Sequence, residues 1–188
     1  HLYTEIELDT RLSGAKQFDY VNPRNREVQV EMEKAVTRHL DTIGAIVDTT
    51  KYLNPDFDEQ QFDNEASVVI PVFNRAKTVA DAVKSALSQK CDFKFNVIVV
   101  DNHSTDGTTD ILNELEKTNP HLVHIIPERT DLGIGGCWNV AISDNRCGRF
   151  AVQLDSDDIY SSENTLSTVV KAFHEQKAAM IVGSYRIC

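Results

Sequence analysis

The chain has 188 residues, of which 41% are hydrophobic and 26% charged, enough for one full domain with or without a helical appendage. Its 29 acidic and 19 basic residues give a net charge of −10, which argues against nonspecific binding to nucleic acid. No apolar run approaches the length of about 18 residues that a membrane span needs, and no signal peptide is visible. The four cysteines form no C-x-x-C pair, so we expect free thiols in a reducing, cytoplasmic compartment.

Residues 1 to about 53 are expected to be helical. Asn22 and Pro23 favour a helix start, as cap and first-turn proline. Apolar residues then recur at helical spacing and predict one stripe that packs on the domain that follows; they are Met32, Val36, Leu40, Ile43 and Val47. Residues 54–65 carry five acids, no base and a proline, and predict a linker. We therefore divide the chain into a helical extension with linker, 1–64, and a domain, 65–188.

From Ala66 onward, short apolar runs alternate with helical patterns. The runs predict five buried strands, at 67–70, 96–100, 122–126, 150–154 and 179–182. The patterns between them predict helices at 78–89, from 108 to 115, at 136–142 and at 162–173, the first with a capping box of Thr78 and Asp81. This alternation implies an α/β fold of three layers, α/β/α, around a mostly parallel sheet. Ligands of such sheets bind beyond the carboxyl ends of the strands.

The strongest chemical signal at those ends is the segment Asp155-Ser156-Asp157-Asp158. Three carboxylates in four residues repel one another unless a cation or protons intervene. On an extended segment Asp155 and Asp157 would point the same way. Hard oxygen ligands completed by phosphate oxygens suit Mg²⁺ or Mn²⁺, so an acidic protein could still hold a diphosphate. The alternative is a turn in which an aspartate caps a helix.

Other residues at the strand ends leave more than one interpretation open. Asp101 could accept hydrogen bonds from a nucleobase or a ribose, or could form an Asx turn that opens the next helix. The glycines from Gly133 to Gly136 match a dinucleotide fingerprint poorly and favour close backbone approach to a ligand or tight packing. His121 and His124 stand three apart on a predicted strand, so they face opposite sides and are poor co-ligands; we interpret them as core or surface histidines.

Four segments in order, VVIPVFNR, VVDNHSTDGT, DLGIGGCWN and QLDSDD, resemble family 2 glycosyltransferases of the GT-A fold over about residues 66–185. The resemblance implies metal-dependent transfer of a sugar from a nucleoside diphosphate, usually UDP, to a saccharide or other hydroxyl acceptor, with inversion. It implies that Asp101 recognises the base, and that Asp155 and Asp157 form the D-x-D motif for ribose and metal, with Asp158 sharing the work. It also implies further donor-site residues: Pro71, Phe73, Asn74, Gly133, Gly135 and Asn139.

The sequence departs from the family pattern at three places. Asp101-Asn102 replaces the usual Asp-Asp, Asp131 replaces an asparagine, and Cys137-Trp138 replaces Ala-Arg before Asn139. The family's catalytic base is expected beyond Cys188, so we expect the chain to be the donor-binding half of a longer protein that is cytoplasmic or peripheral to the inner face of a membrane. The alternatives are a nucleotide-sugar-binding module without catalysis and a nucleotidyltransferase; the second would want a glycine-rich loop where residues 71–75 have none.

Overall fold

The computed structural model describes residues 25–51 and 61–184. The chain divides into two compact units, His1–Leu53 and Asn54–Cys188. In the first unit, α1 (Arg26–Thr42) is followed by a short 3-10 turn at Thr49–Lys51. No residue of α1 is buried, so the predicted packing of its apolar stripe stays a prediction. The predicted helix start at Asn22 and Pro23, and most of the predicted linker, lie outside the described residues.

Strands and helices alternate in the second unit, as the apolar runs predict. The strands are β1 (Ala66–Val72), β2 (Phe95–Asp101), β3 (Leu122–Ile125) and β4 (Phe150–Gln153). The helices are α2 (Val79–Leu87), α3 (Thr108–Thr118), α4 (Gly133–Ser143) and α5 (Thr165–Gln176).

The four strands form one parallel sheet in the order β3-β2-β1-β4. From β1 the chain moves outward through β2 to β3, and after α4 it returns to the other side of β1 as β4. The direction of winding therefore switches between β1 and β4. In open parallel sheets a crevice forms at such a switch, beyond the carboxyl ends of the strands.

Alternate residues of the strands enter two separate cores, which makes the unit a three-layer α/β/α structure. On one face, Val68, Ile70 and Val97 pack beneath α2, α3 and α5. On the other face, Val69 and Ile98 pack beneath α4. Burying a valine or isoleucine contributes about 1.5–3 kcal/mol, so β1 and β2, which are covered on both sides, anchor the sheet.

Two predictions about local structure are wrong. Residues 179–182 form no strand, so the sheet of the described residues has four strands and not five. Thr78 and Asp81 form no capping box: the Asp81 N–H donates to the backbone carbonyl of Thr78 at 3.0 Å and not to its hydroxyl. The Thr78 hydroxyl instead donates to the Ser156 carbonyl, 2.9 Å away in another loop.

Pro71 lies within β1, although the sequence analysis ended that strand before it. A proline has no N–H to give to a neighbouring strand and is therefore rare in central strands. Here β4 pairs with β1 only as far as Val69, so no neighbour on that side needs the missing donor. The strand continues through Pro71, which pairs in register with Val100 of β2.

A buried polar network closes the amino-terminal edge of the sheet. The Ser67 hydroxyl donates to Asn96 Oδ1 and accepts the Gly148 N–H at 2.7 Å, while Asn96 Nδ2 donates to the Arg146 carbonyl at 2.9 Å. A Cβ on Gly148 would lie 2.7 Å from the Ala66 carbonyl carbon, so only glycine fits there. The network holds the loop before β4 at the edge opposite the carboxyl ends.

Candidate functional site

The turn that follows β4 lies beside the loop that follows β1, at the switch point of the sheet. The Leu154 N–H donates to the Val69 carbonyl at 3.1 Å, which carries the chain past the end of the ladder. The bond from Thr78 to the Ser156 carbonyl then joins the start of α2 to this turn. Ser156 is buried, whereas Asp155 and Asp157 on either side of it are exposed.

Residues 155–158 form a turn and not the extended segment that the sequence analysis expected. The Asp158 N–H donates to the Asp155 carbonyl at 3.1 Å, which closes the turn. Gln153 Nε2 donates to Asp155 Oδ1 at 2.8 Å, so one oxygen of that carboxylate already has a partner. The three carboxylates therefore belong to a turn, which was the alternative left open, and the argument that Asp155 and Asp157 point the same way on an extended segment does not apply.

The charges of this turn act on one another. Burial, and then the neighbouring charges of Asp155 and Asp157, raise the pKa of Asp158 above its ordinary value. Within the described ranges, no group of three or more histidine, cysteine, aspartate or glutamate side chains converges closely enough to hold a metal ion. A cation at this turn would therefore need oxygen ligands from a ligand or from water as well as from the protein.

Arg75 is the basic residue that meets this acidic turn. Its Nε lies 3.6 Å from Asp157 Oδ2, and both side chains are about half exposed. Arg75 Nη1 also donates to the Asn74 carbonyl at 3.2 Å. The pair joins the loop after β1 to the turn after β4, and a half-exposed contact of this length is weak enough to exchange for another partner.

Hydrogen bonds from neighbouring residues tie the loop after β1 to the loop after β2. Asn74 Oδ1 accepts the Thr105 N–H at 2.7 Å, and the Asn74 N–H donates to the Ser104 hydroxyl at 2.9 Å. The Ala76 N–H donates to Asp106 Oδ2 at 3.0 Å. The two loops are thus held as one unit before any ligand arrives, which is the preorganisation that a binding site requires.

Asp101 is the last residue of β2 and is fully buried. Its Oδ1 accepts the Ser104 N–H at 3.0 Å, and its Oδ2 accepts the Thr109 hydroxyl at 2.5 Å. These bonds form the local turn that leads into α3, which is one of the two interpretations left open by the sequence; the contact of Asp101 with a base or a ribose stays a prediction. The sequence analysis ended β2 at Val100, but the strand runs one residue further, and Asp101 at its end is fully buried.

Phe73 and Asn102, which lie beside the hydrogen-bonded loops after β1 and β2, are more accessible to solvent than Asp101. Phe73 is exposed over 54% of its surface, directly after β1. Asn102 is partly exposed, and its Oδ1 is a buried acceptor without a hydrogen-bond partner in the structure. An orphaned buried acceptor calls for an explanation, and a bound molecule that supplies a donor is one.

The remaining predicted site residues lie at different places. Gly133, Gly135 and Asn139 are exposed residues of α4, and Gly133 begins the helix with a φ of 56° that favours glycine. Pro71 is buried within β1.

The cysteines at 91, 137 and 147 are free, and burial raises the pKa of each thiol, so none presents a thiolate ligand.

The comparisons with known proteins decide the family. Residues 67–188, which run from the second residue of β1 past the end of α5, match the model of glycosyl transferase family 2. The chain belongs to that family. Among its curated relatives are a GalNAc(5)-diNAcBac-PP-undecaprenol beta-1,3-glucosyltransferase of Campylobacter jejuni, 33% identical over 58% of this chain, and a poly(ribitol-phosphate) beta-glucosyltransferase of Bacillus spizizenii, 34% identical over 53%.

Solved structures show the same fold. The Staphylococcus aureus protein TarS, in a complex with UDP-GlcNAc, is 32% identical over 59% of this chain with a TM-score of 0.50. The Pyrobaculum calidifontis mannosyltransferase PcManGT, in a complex with GDP-Man and Mn²⁺, is 25% identical over 62% with a TM-score of 0.52. These glycosyltransferases share the parallel α/β architecture predicted from the alternating strands and helices.

The matched segment is a minor part of the proteins it resembles. It covers 34% of the Campylobacter relative, 16% of the Bacillus relative and 31% of the TarS chain. No helix in residues 25–51 or 61–184 is both long and apolar enough to cross a membrane.

Several residues of this edge carry no role in the sequence analysis. The sequence pattern assigns no function to Arg75, and Asn102 stands out in it only as a departure from the family pattern. Ser104 and Asp106 form bonds that join the loops, and His103 accepts or donates a bond of 3.1 Å between its Nε2 and the Arg129 carbonyl. Ser, Asp and Thr are residues that often bond to nearby backbone, but the partners here lie about 30 positions away and no sequence pattern names them.

Proposed function

We propose that this chain is the donor-binding part of a glycosyltransferase that transfers a sugar from a nucleoside diphosphate, UDP by preference, to a hydroxyl of a saccharide or another acceptor. The carrying observation is the acidic turn Asp155–Asp158 at the switch point of the sheet, beside the loop of Phe73 to Arg75. Family membership and the nucleotide sugars held by two structural neighbours support this proposal. Location in the cytoplasm remains a prediction.

For the nucleoside, we propose contacts from Phe73 and Asn102. Phe73 presents an exposed ring at the edge, which suits stacking on a base. Asn102 has an amide with an unpartnered oxygen, and it stands next to the buried Asp101. The base contact that the family resemblance assigns to Asp101 is thus proposed for Asn102, while Asp101 holds the loop from inside through Ser104.

For the diphosphate, we propose a divalent cation, Mn²⁺ or Mg²⁺, held through Asp157 with Asp155 and Asp158. The donor set fits such an ion, because the turn offers exposed carboxylate oxygens whose mutual repulsion a cation relieves. The residues that the structure describes do not complete a coordination shell by themselves, which agrees with phosphate oxygens as additional ligands. The bound ion would neutralise the charge that builds on the departing diphosphate. Arg75, released from Asp157, carries a second positive charge in reach of this edge.

The chain's own residues then bind and orient the donor. The bonds of Asn74 with Ser104 and Thr105 hold two of the strand-end loops in fixed relation. Orientation of this kind lowers the barrier, because the reacting groups are placed before reaction. A carboxylate base that deprotonates the acceptor, and inversion at the anomeric carbon, remain expectations from the family.

The test is calorimetry of UDP binding in Mn²⁺ with the 188-residue chain and its Asp157→Asn variant. We expect the variant to lose at least about tenfold in affinity in Mn²⁺, since one charged ligand is worth about 1.5–3 kcal/mol. Asp92→Asn is the matched control, because it removes an exposed carboxylate before β2, at the opposite edge of the sheet. A donor panel that includes GDP-mannose, measured by thermal shift, reads the base preference through ligand stabilisation.

Unchanged UDP affinity in Asp157→Asn, or equal losses in Asp157→Asn and Asp92→Asn, would contradict the assignment of the acidic turn. Binding of no nucleoside diphosphate at all, with or without Mn²⁺, would contradict the proposed function itself.

A further inference from the structure

A buried polar cluster lies beneath α3, in the layer behind the loop after β2. It consists of Asp101 on β2, His124 on β3, and Thr109 and Asn113 on α3. The side chains of Asp101 and His124 are 0% and 2% exposed, so neither meets solvent. The proposed mechanism uses neither of them directly, and an ionisable pair this deeply buried requires compensation to be stable.

The geometry of sheet and helix brings these residues together. His124 pairs in register with Val99, so Asp101, two residues further along β2, stands diagonally beside it on the same face. On α3, Thr109 and Asn113 are four residues apart and therefore share a helix face. Thr109 donates its hydroxyl hydrogen to Asp101 Oδ2, and Asn113 Oδ1 lies 3.1 Å from His124 Nδ1.

The second ring nitrogen of His124 is the exceptional atom of the cluster. Its Nε2 is buried without a hydrogen-bond partner and lies 3.7 Å from Asp101 Oδ2. This distance is too long for a hydrogen bond but short for two buried lone pairs that face each other. Without a proton on Nε2 the contact is repulsive, and with one it is attractive whichever way the amide of Asn113 is turned.

We propose that His124 is a positioning residue that carries a proton on Nε2 and, through Asp101, holds the loop of residues 102–107 in the conformation that binds the donor. The chain of contacts runs from His124 to the Asp101 carboxylate, and from that carboxylate to the Ser104 N–H. Ser104 then accepts the N–H of Asn74 through its hydroxyl. His124 is thus two contacts away from a loop that lines the edge of the sheet, and touches no ligand itself.

The loop depends on such support because one of its residues has a costly backbone conformation. His103 has a φ of 62°, in the left-handed region that non-glycine residues seldom adopt. Its N–H donates to the Asp101 carbonyl at 2.9 Å, so both the main chain and the side chain of Asp101 support the turn. A shift of the Asp101 carboxylate would therefore move Asn102, for which we propose the base contact. This part of the inference depends on the proposed function.

The test compares the 188-residue chain with His124→Gln and His124→Asn. A glutamine side chain can place an N–H near the position of Nε2, whereas an asparagine reaches only the position of Nδ1. Two-bond ¹⁵N–¹H spectra of the imidazole ring report directly which nitrogen carries the proton, and His124→Gln assigns the signal. Amide hydrogen exchange of Ser104 reports the loop, and calorimetry with UDP and Mn²⁺ reports donor binding.

We expect a protonated Nε2 in the parent chain. In His124→Asn we expect about tenfold faster exchange at Ser104 and about tenfold weaker UDP binding, because the Asp101 carboxylate loses the attraction of the proton on Nε2. In His124→Gln both values should return to within about threefold of the parent. The rescue separates positioning from general stability, since both variants remove the ring and the melting temperature should fall in both.

An unprotonated Nε2 overturns the proposal, and so does parental exchange at Ser104 in His124→Asn. Equal losses in both variants also overturn it, because they indicate loss of the ring's packing only. If the parent chain binds no nucleotide, the proposed function fails; the ring spectra and the exchange at Ser104 then still decide whether His124 holds the loop.

Discussion

At the scale of single residues, Asn74 shows how one side chain connects two strand ends. Its φ of 53° lies in the left-handed region, where asparagine is tolerated better than most residues. In that conformation its N–H reaches the Ser104 hydroxyl and its Oδ1 reaches the Thr105 N–H. Asn74 therefore shapes the loop, and the donor-site contact that the family resemblance implies for it stays a proposal.

Asn74→Ala should lower the free energy of unfolding by about 2 kcal/mol. About half of that loss comes from the Thr105 amide left without its acceptor, and the rest from an alanine Cβ in the left-handed region. Asn74→Gly removes the acceptor but relieves the backbone, so it should cost only about 1 kcal/mol. Urea unfolding followed by circular dichroism measures both. Equal losses in the two variants would show that the positive φ carries no cost.

At the scale of elements, the start of α3 is organised by a side chain outside the helix. Gly107, with a φ of 97°, precedes the first helical residue and has no side chain to cap it. Asp106 does so instead, since its Oδ1 accepts both the N–H and the hydroxyl of Thr108. Its other oxygen accepts the Ala76 N–H, so the same carboxylate joins α3 to the loop after β1.

These bonds predict a dependence of stability on pH. The Thr108 hydroxyl, followed by the Ala76 amide, lowers the pKa of Asp106 below its ordinary value of 3.8. The unfolded chain then binds more protons than the folded one as the pH falls past 3.8. The contribution is present above that range and is lost as the pH falls toward the lower, folded pKa. The urea midpoint of unfolding should therefore fall less between pH 7 and pH 3 in Asp106→Asn than in the parent chain.

Asp110→Asn is the control for this experiment, because it removes a carboxylate from the first turn of the same helix without touching those bonds. Its urea midpoint should fall with pH as that of the parent chain does. An equally steep fall in Asp106→Asn and in the parent chain would mean that other carboxylates dominate the loss of stability in acid.

The elements were largely predictable because the strands are short, mostly apolar runs that are rich in valine and isoleucine in β1 and β2. Val68, Val97 and Val123 begin or continue such runs, and each predicted strand before residue 155 is present within a few residues of its expected ends. The run at 179–182 met the same criterion but finds no strand partner among the described residues. Pairing depends on a neighbour, which local composition does not specify.

The site was predictable as a place and less so as a set of atoms. Polar residues after buried parallel strands must meet at one edge, so Asn74 and Asp157 were expected near each other. Whether a side chain at a strand end is buried depends on the element that packs over it, and Asp101 is fully buried beneath α3. The contacts of His124 with Asp101 and Asn113 arise from register and helix packing, which no local pattern contains.

At the scale of the whole molecule, the buried core of the described residues lies entirely in the second unit. Every buried hydrophobic residue falls between Ala66 and Phe173, and α1 buries none. The strand-end loops, the acidic turn and the His124 cluster all lie within the same span. We therefore predict that a stable fold and the proposed donor site require only the segment from about residue 61 onward.

Removal of residues 1–60 should leave a chain that unfolds in one cooperative transition, with a melting temperature within about 4 °C of the parent's, the shift that about 1 kcal/mol causes in a domain of this size. The reason is that no core residue of the described chain is removed. Thermal unfolding by circular dichroism measures the transition, and ¹H–¹⁵N spectra should retain the dispersed amide signals of β1 and β2. A loss of cooperativity, or a drop of ten degrees or more, would show that the helical extension stabilises the second unit and would support the predicted packing of its apolar stripe.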